Sequence, residues 1–278
     1  MKRIYTTLLL LLVISASVVA QELKVATYNL RYANTSDTGN LWPDRAPYVG
    51  ALIRFHDFDV FGTQEALNSQ LVDLNEMLPD YARYGVGRDD GETGGEHSAI
   101  FYKKEKFTLL DKGDFWLAEN PDVPGKGWDA TCCNRIVSWV NLKDNKSGKQ
   151  FFFFSAHYDH QGKVARRESS KLVLEKIKEI AKGKPVILVG DLNADHESEP
   201  YEILQDSELL DDSYTLADDP YHNNGSFSGF KTSNNMTIID HIFITKGIEV
   251  DKWGVLTDTY FGKYPSDHFP VMSIIRLP

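Results

Sequence analysis

The sequence predicts an α/β domain built from two mixed β-sheets packed together. Three observations carry that expectation. Short strand-like runs outnumber helical ones, and the helices come singly between groups of strands. Runs such as residues 151–156 and 186–189 are apolar at nearly every position, as in strands buried on both faces. No repeat, low-complexity tract or linker divides the chain, whose 278 residues and 42% hydrophobic content suit one large domain.

The N-terminus stands apart from that domain. Lys2 and Arg3 form a positive n-region, residues 8–14 an apolar h-region, and Val18-Val19-Ala20 a small-residue cleavage site. This pattern is a secretory signal peptide over residues 1–20, leaving residues 21–278 as one exported domain in the periplasm or outside the cell. No cysteine near the site could carry a lipid, and no later apolar run reaches membrane-spanning length. The only two cysteines, Cys132 and Cys133, are neighbours and cannot staple distant segments. Losing Lys2 and Arg3 leaves 28 basic against 40 acidic residues, a net charge of about −12. That balance disfavours long nucleic acid, whose grip needs many Lys and Arg contacts to phosphates.

Taken in order, residues 23–29 (LKVATYN) alternate as a strand and deliver Asn29 to its end, with Arg31 just beyond. Pro47 suits the first turn of a helix whose Val49, Leu52 and Ile53 share a face. A strand over residues 59–63 ends at Gln64-Glu65. From Ala66 a helix carries Leu67, Leu71, Leu74 and Leu78 on one stripe until Pro79 stops it. A glycine-rich, acidic loop (85–95) precedes a strand over 98–102, and a loop over 120–127 precedes a strand over 135–142. A hairpin through 144–148 leads to the strand 151–156, which ends at His157-Tyr158-Asp159-His160. Residues 164–181 form the clearest helix, with Val173, Ile177 and Ile180 inward and Gly183 as its stop.

Residues 186–189 then form a doubly buried strand, and Gly190 lets the backbone turn so that Asp191 and Asn193 sit past its end. A short helix near 200–204 and an acidic, Asn- and Gly-rich region to Asn235 follow. Three strands close the chain: 238–245 with Asp240 and His241 inside it, 248–256, and 271–276 after Ser266-Asp267-His268.

Six strand ends therefore carry polar residues: Asn29, Glu65, His157, Asp191 with Asn193, Asp240, and Asp267 with His268. Strand ends are where open α/β sheets build ligand sites. Two other readings of the same residues fail on single positions. Oxygen-bearing residues from Asp191 follow calcium-loop spacing, but His196 stands where that loop needs glycine and a strand comes before it. Ser155-x-His157-x-Asp159-His160 lacks the first histidine of the His-x-His-x-Asp-His zinc motif.

The ordered set Tyr-Asn-Leu-Arg (28–31), Gln-Glu (64–65), His-x-Asp-His (157–160), Gly-Asp-Leu-Asn (190–193), Ile-Asp-His (239–241) and Ser-Asp-His-Phe-Pro-Val (266–271) resembles the endonuclease/exonuclease/phosphatase superfamily. The resemblance spans the mature chain. It implies a four-layer α/β sandwich, with helices outside the two sheets, and one Mg²⁺-dependent phosphoester site at one edge, with Mn²⁺ as a possible substitute. It further implies that Asn29, Glu65 and Asp267 serve the metal and that Asp191, with Asn193, activates the attacking water. His268, oriented by Asp240, would meet the phosphorus, and His157 matches a phosphate-binding histidine of the deadenylase and sphingomyelinase branches.

Arg31, Arg135 and Arg166 can each fork onto a phosphate, Asp159 and His160 support them, and Glu96 can line the cleft. Arg31 stands where the apurinic-site nucleases keep an acid, which argues against that branch. The expected activity is hydrolysis of a small or lipid-linked phosphoester, in first place a phosphodiester, by a monomer. A secreted nuclease and a non-catalytic binding protein on the same scaffold are the rivals. Trp116, Trp128 and the Phe261 loop are the candidate surfaces for transient contact with membrane lipid.

Overall fold

A computed structural model describes residues 22–232 and 234–278; the expected signal peptide lies outside the described residues. In chain order the elements are β1 (Glu22–Asn29), α1 (Trp42–His56), β2 (Val60–Gln64), β3 (Ala66–Leu67), α2 (Asn68–Met77), β4 (Tyr81–Tyr84), β5 (Glu96–His97), β6 (Ile100–Lys103) and β7 (Phe107–Trp116). They continue with β8 (Ile136–Asp144), β9 (Gln150–His157), α3 (Lys163–Ala181), β10 (Val186–Asp191), α4 (Glu199–Gln205), β11 (Leu210–Asp212), α5 (Ser213–Leu216), β12 (Asp240–Thr245), β13 (Glu249–Val255) and β14 (Val271–Arg276). One sheet has the order β13-β14-β1-β2-β6-β4 and the other β11-β12-β10-β9-β8-β7, with β3 and β5 as a separate pair.

Period-two alternation on these strands makes four layers. Val25, Phe151, Phe153, Ile187 and Val189 point between the sheets, into one shared core. Their neighbours Phe152, Phe154, Val186 and Leu188 face outward, where Val173 and Ile177 of α3 and Tyr201 and Leu204 of α4 cover them. On the other sheet Ala26, Tyr28 and Phe61 face Val49, Leu52 and Ile53 of α1 and Leu71 and Leu74 of α2. The runs that read as doubly buried strands are apolar throughout because each face meets its own core.

Several expectations shift in detail. Helix α1 starts at Trp42, so Pro47 lies inside it and Pro43 takes the position near its start. The helix expected from Ala66 begins at Asn68, because Ala66 and Leu67 pair with β5. Asp240 opens β12 instead of lying within it. Gly190 is not a turn: it pairs within β10, where an added Cβ would press into the carbonyl oxygen of Ala156 on β9. Strands β4 and β7 were not expected, since the polar and charged residues of these edge strands leave no apolar run to read.

The sheets approach closely at Gly62, where a Cβ would lie 2.6 Å from both Ser155 Oγ and Val189 Cγ2. Gly190→Ala, forced against main chain that cannot swing away, is expected to cost about 1–3 kcal/mol or more, read as a lowered denaturation midpoint.

Candidate active site

Strand direction gathers the polar ends at one edge. β1 and β2 run parallel with Asn29 opposite Gln64, and β9 and β10 run parallel with His157 opposite Asp191. The antiparallel partners contribute their beginnings: Asp240 of β12 lies opposite Asp191, and Asp267 and His268 come just before β14, which runs antiparallel to β1. Polar residues then bind the two sheets across this edge. Asn29 Nδ2 donates to Asp191 Oδ2 at 2.9 Å and to Glu65 Oε1 at 3.0 Å, and Gln64 Nε2 donates to Ser155 Oγ at 3.3 Å. Arg31, Glu65 and Asn193 all adopt left-handed backbone, with φ of 55°, 64° and 47°. Such conformations are costly for residues with a Cβ and cluster at functional sites.

The cavity at this edge has a volume of about 640 Å³. Its walls include Arg31, Glu65, His157, His160, Arg135, Asp191, Asn193, Asp267 and His268 among the expected residues. Asn29, Asp240 and Asp159 stand behind them. Asn29 turns its amide NH₂ toward the acids while its oxygen accepts from Arg31 N at 3.0 Å, so it positions Glu65 and Asp191 through its donors. Asp240 Oδ2 holds His268 Nδ1 at 2.8 Å. Asp159 Oδ1 accepts from the amides of Gln161 and Gly162 ahead of α3, and Asp159 Oδ2 lies 3.4 Å from Arg135 Nε. Arg166 is not brought to the cavity wall; its guanidinium donates to the Asp159 carbonyl.

Acids and cations alternate around the cavity and shift one another's titration. Burial and the neighbouring Asp240 push the Asp191 carboxyl up to about 7. Burial likewise raises Asp267, and it pushes Glu96 up to about 7 against the pull of Arg88. Burial opposes charge on His268, but Asp240 and Asp191 outweigh it and hold the ring well above its ordinary value. His157 goes the other way, well below, because burial and Arg135 both disfavour a second cation. Arg135 donates to His157 and, at 2.8 Å, to His160 Nδ1, which requires His160 to accept there.

The acids suit a hard divalent cation. Glu65, His157 and Asp191 bring ligand atoms within 4.8 Å of one another, and Asp240 Oδ1 is buried with no partner. Oxygen-rich sites with one or two carboxylates and room for water fit Mg²⁺. The residues present therefore fit the group that the family resemblance implies.

Sequence reasoning overlooked several contributors. Arg88, in the glycine-rich loop, lines the cavity and pairs with Glu96 at 2.6 Å. Phe227 packs its ring edge-on to His268 at 4.9 Å. Arg45 is fully buried and donates only to main-chain oxygens, those of Leu30, Arg31, Asn40 and Pro265. It thereby clamps the segments bearing Arg31 and Asp267, a role no local motif announces. Trp116, expected as a contact surface, is buried and donates to the Arg88 carbonyl, whereas Phe261 is 90% exposed. Among the described residues no helix is long and apolar enough to cross a membrane.

In metal-free protein, the His268 ring should titrate above the ordinary histidine value of about 6.5 and the His157 ring below it; histidine ring NMR against pH reads both directions.

A sequence model of the Endonuclease/Exonuclease/phosphatase family matches residues 26–268. A crystal structure of a protein of that family from Bacteroides thetaiotaomicron is 47% identical, covers 93% of this chain and 99% of its own, and superposes with a TM-score of 0.91. A mannosyl-6-phosphatase from the same organism is 48% identical over 91% of this chain and 99% of its own, with a TM-score of 0.89. An uncharacterised protein of Acanthamoeba polyphaga mimivirus is 29% identical over 182 residues, 54% of this chain, and the match spans 26% of that protein's length. The site and these relatives agree: the chain belongs to the endonuclease/exonuclease/phosphatase family, whose members are phosphoric ester hydrolases.

Proposed function

We propose that this chain is an exported, Mg²⁺-dependent phosphatase acting on the terminal phosphate of a sugar or similar small polyol. The observation that carries the reading is the cavity itself, in which Arg31, Arg88, Arg135 and a protonated His268 surround the acidic metal-binding corner. Arg31 is paired with Asp37 and Arg88 with Glu96, so it is the positive charge of these groups beside a divalent ion, not a set of free donors, that suits a dianionic monoester better than a singly charged diester. A cavity of about 640 Å³ holds a small ligand. The 48% identical mannosyl-6-phosphatase supports a sugar phosphate over the phosphodiester that the sequence put first. Lys2, Arg3 and the apolar stretch after them support export, and the acidic balance argues against long nucleic acid.

A divalent ion at Glu65 would polarise a phosphoryl oxygen and neutralise charge developing on it. Asp191 takes the proton of the attacking water, and the Asn193 main-chain N–H holds Asp191 by donating to its Oδ1 at 2.9 Å, while the Asn193 side chain donates to the Tyr158 carbonyl. His268 donates from Nε2 to a phosphoryl oxygen, its charge maintained by Asp240 behind it. Arg135, bonded to His157 and His160 and set against Asp159, lends its charge to the phosphate pocket, while His157 and His160 stay neutral and add none.

Asp191→Asn and His268→Ala should each lower kcat by about 10²–10⁴ while leaving the fold intact by circular dichroism. Phosphate release from mannose 6-phosphate, with bis-p-nitrophenyl phosphate alongside, tests the substrate class. The expected result is Mg²⁺-dependent monoester turnover that exceeds diester turnover; the reverse preference would restore the phosphodiesterase reading.

A further inference from the structure

Behind the catalytic edge lies a second cluster, formed by His196, Asp212 and His241, whose ligand atoms fall within 4.8 Å of one another. His241 is on β12, Asp212 ends β11, and His196 is in the loop that follows β10 and Asn193. Asp212 and His241 are both 1% exposed at their side chains, and His196 is 27% exposed, though its Nε2 is buried. Its donors are not used by the chemistry proposed above.

The hydrogen bonds around the cluster orient its lone pairs inward. His241 Nε2 donates to the Ala194 carbonyl at 2.9 Å, which fixes the proton on that nitrogen and leaves Nδ1 bare in the neutral ring. Nδ1 faces Asp212 Oδ2 at 3.2 Å, longer than a charge-assisted hydrogen bond of about 2.7–2.9 Å. Asp212 Oδ1 is already engaged by Tyr214 N at 2.9 Å, so Oδ2 is its inward oxygen. His196 Nε2 lies 3.6 Å from the same Oδ2, is buried, and has no hydrogen-bond partner.

The two histidine nitrogens stand 3.2 and 3.6 Å from Asp212 Oδ2, on either side of a tetrahedral edge, and all three ligand atoms lie within 4.8 Å of one another. Ligands at about 2.0–2.1 Å from a zinc ion, spread at tetrahedral angles, stand about 3.3–3.4 Å apart. Two imidazoles and one carboxylate also select a borderline ion over Mg²⁺, which takes oxygen ligands. The rings of Tyr201 and Tyr214, each 4.8 Å from that of His196, wall the cluster on two sides.

We propose that His196, Asp212 and His241 form a structural site for a zinc-like divalent cation, with water as the fourth ligand. Such an ion joins β11, β12 and the loop behind Asn193, pinning the catalytic loop from its far side. The competing arrangement is a proton in the ion's place, with a charged His241 bonded to Asp212; burial disfavours that charge, but Asp212 outweighs burial and holds the metal-free ring above its ordinary value, so an ion must displace this proton.

The test titrates Zn²⁺ against a chromophoric chelator in metal-stripped protein held at millimolar Mg²⁺, for wild type, His196→Ala and Asp212→Asn. His196→Ala removes a partly exposed ring, and circular dichroism checks its fold. One tightly held Zn²⁺ per wild-type chain, with affinity reduced at least about tenfold in His196→Ala, supports the site. Equal zinc binding by wild type and His196→Ala, or none that outcompetes the chelator, overturns it. Cobalt(II) added to wild type under the same Mg²⁺ gives a reading independent of any variant: visible bands of a four-coordinate ion support the site, and a six-coordinate spectrum contradicts it.

Discussion

A hydrogen bond of 2.9 Å from Asn29 Nδ2 to Asp191 Oδ2 joins the ends of two strands that lie 162 residues apart in sequence and in different sheets. It can form only if both sheets are in register at the same edge, and the core between them enforces that register. Gly62 lets the sheets close against Ser155 and Val189, and Gly190 lets β10 lie flat against β9. A slip of one residue in either strand would send its polar end to the opposite face. Packing and catalytic geometry are therefore one constraint.

That constraint places several buried acids together at one edge. Buried carboxylates held apart from solvent resist ionisation, which is why Asp191 and Glu96 are both pushed up to about 7. The protein offsets this with fixed cations and hydrogen-bond donors: Arg88 on Glu96, Arg31 near Glu65 and Asp267, and His268 against Asp240. Among the described residues Arg45 pairs with no carboxylate. It is satisfied by carbonyl oxygens, and so acts as a strut between loops.

The layers, and the convergence of the polar strand ends on one cavity, were largely legible because each candidate residue follows or precedes an apolar run. Asn29, Glu65, His157, Asp191, Asp240 and His268 all sit at such transitions, and strand direction alone brings them together. Edge strands such as β7 were hidden by Asp111, Lys112 and Asp114, which interrupt the apolar pattern where solvent covers one face. Arg88 and Arg45 were hidden for another reason. Their partners are a carboxylate eight residues on, Glu96 for Arg88, and main-chain oxygens for Arg45, which leave no periodicity in sequence. Arg166 was overread, since a basic residue on a helix near the site can spend its donors on a carbonyl, here that of Asp159. His196 disqualified a calcium loop by its position, yet it takes part in a different cluster.

The account rests on acids from both sheets converging on one cation, so the direct measurement is calorimetric titration of Mg²⁺ into metal-stripped protein, wild type beside Glu65→Gln and Asp191→Asn. Glu65 follows β2 of one sheet and Asp191 ends β10 of the other. Weakened Mg²⁺ binding in both variants is the predicted result. Binding that is unchanged in both, or that depends on only one of the two sheets, would contradict it.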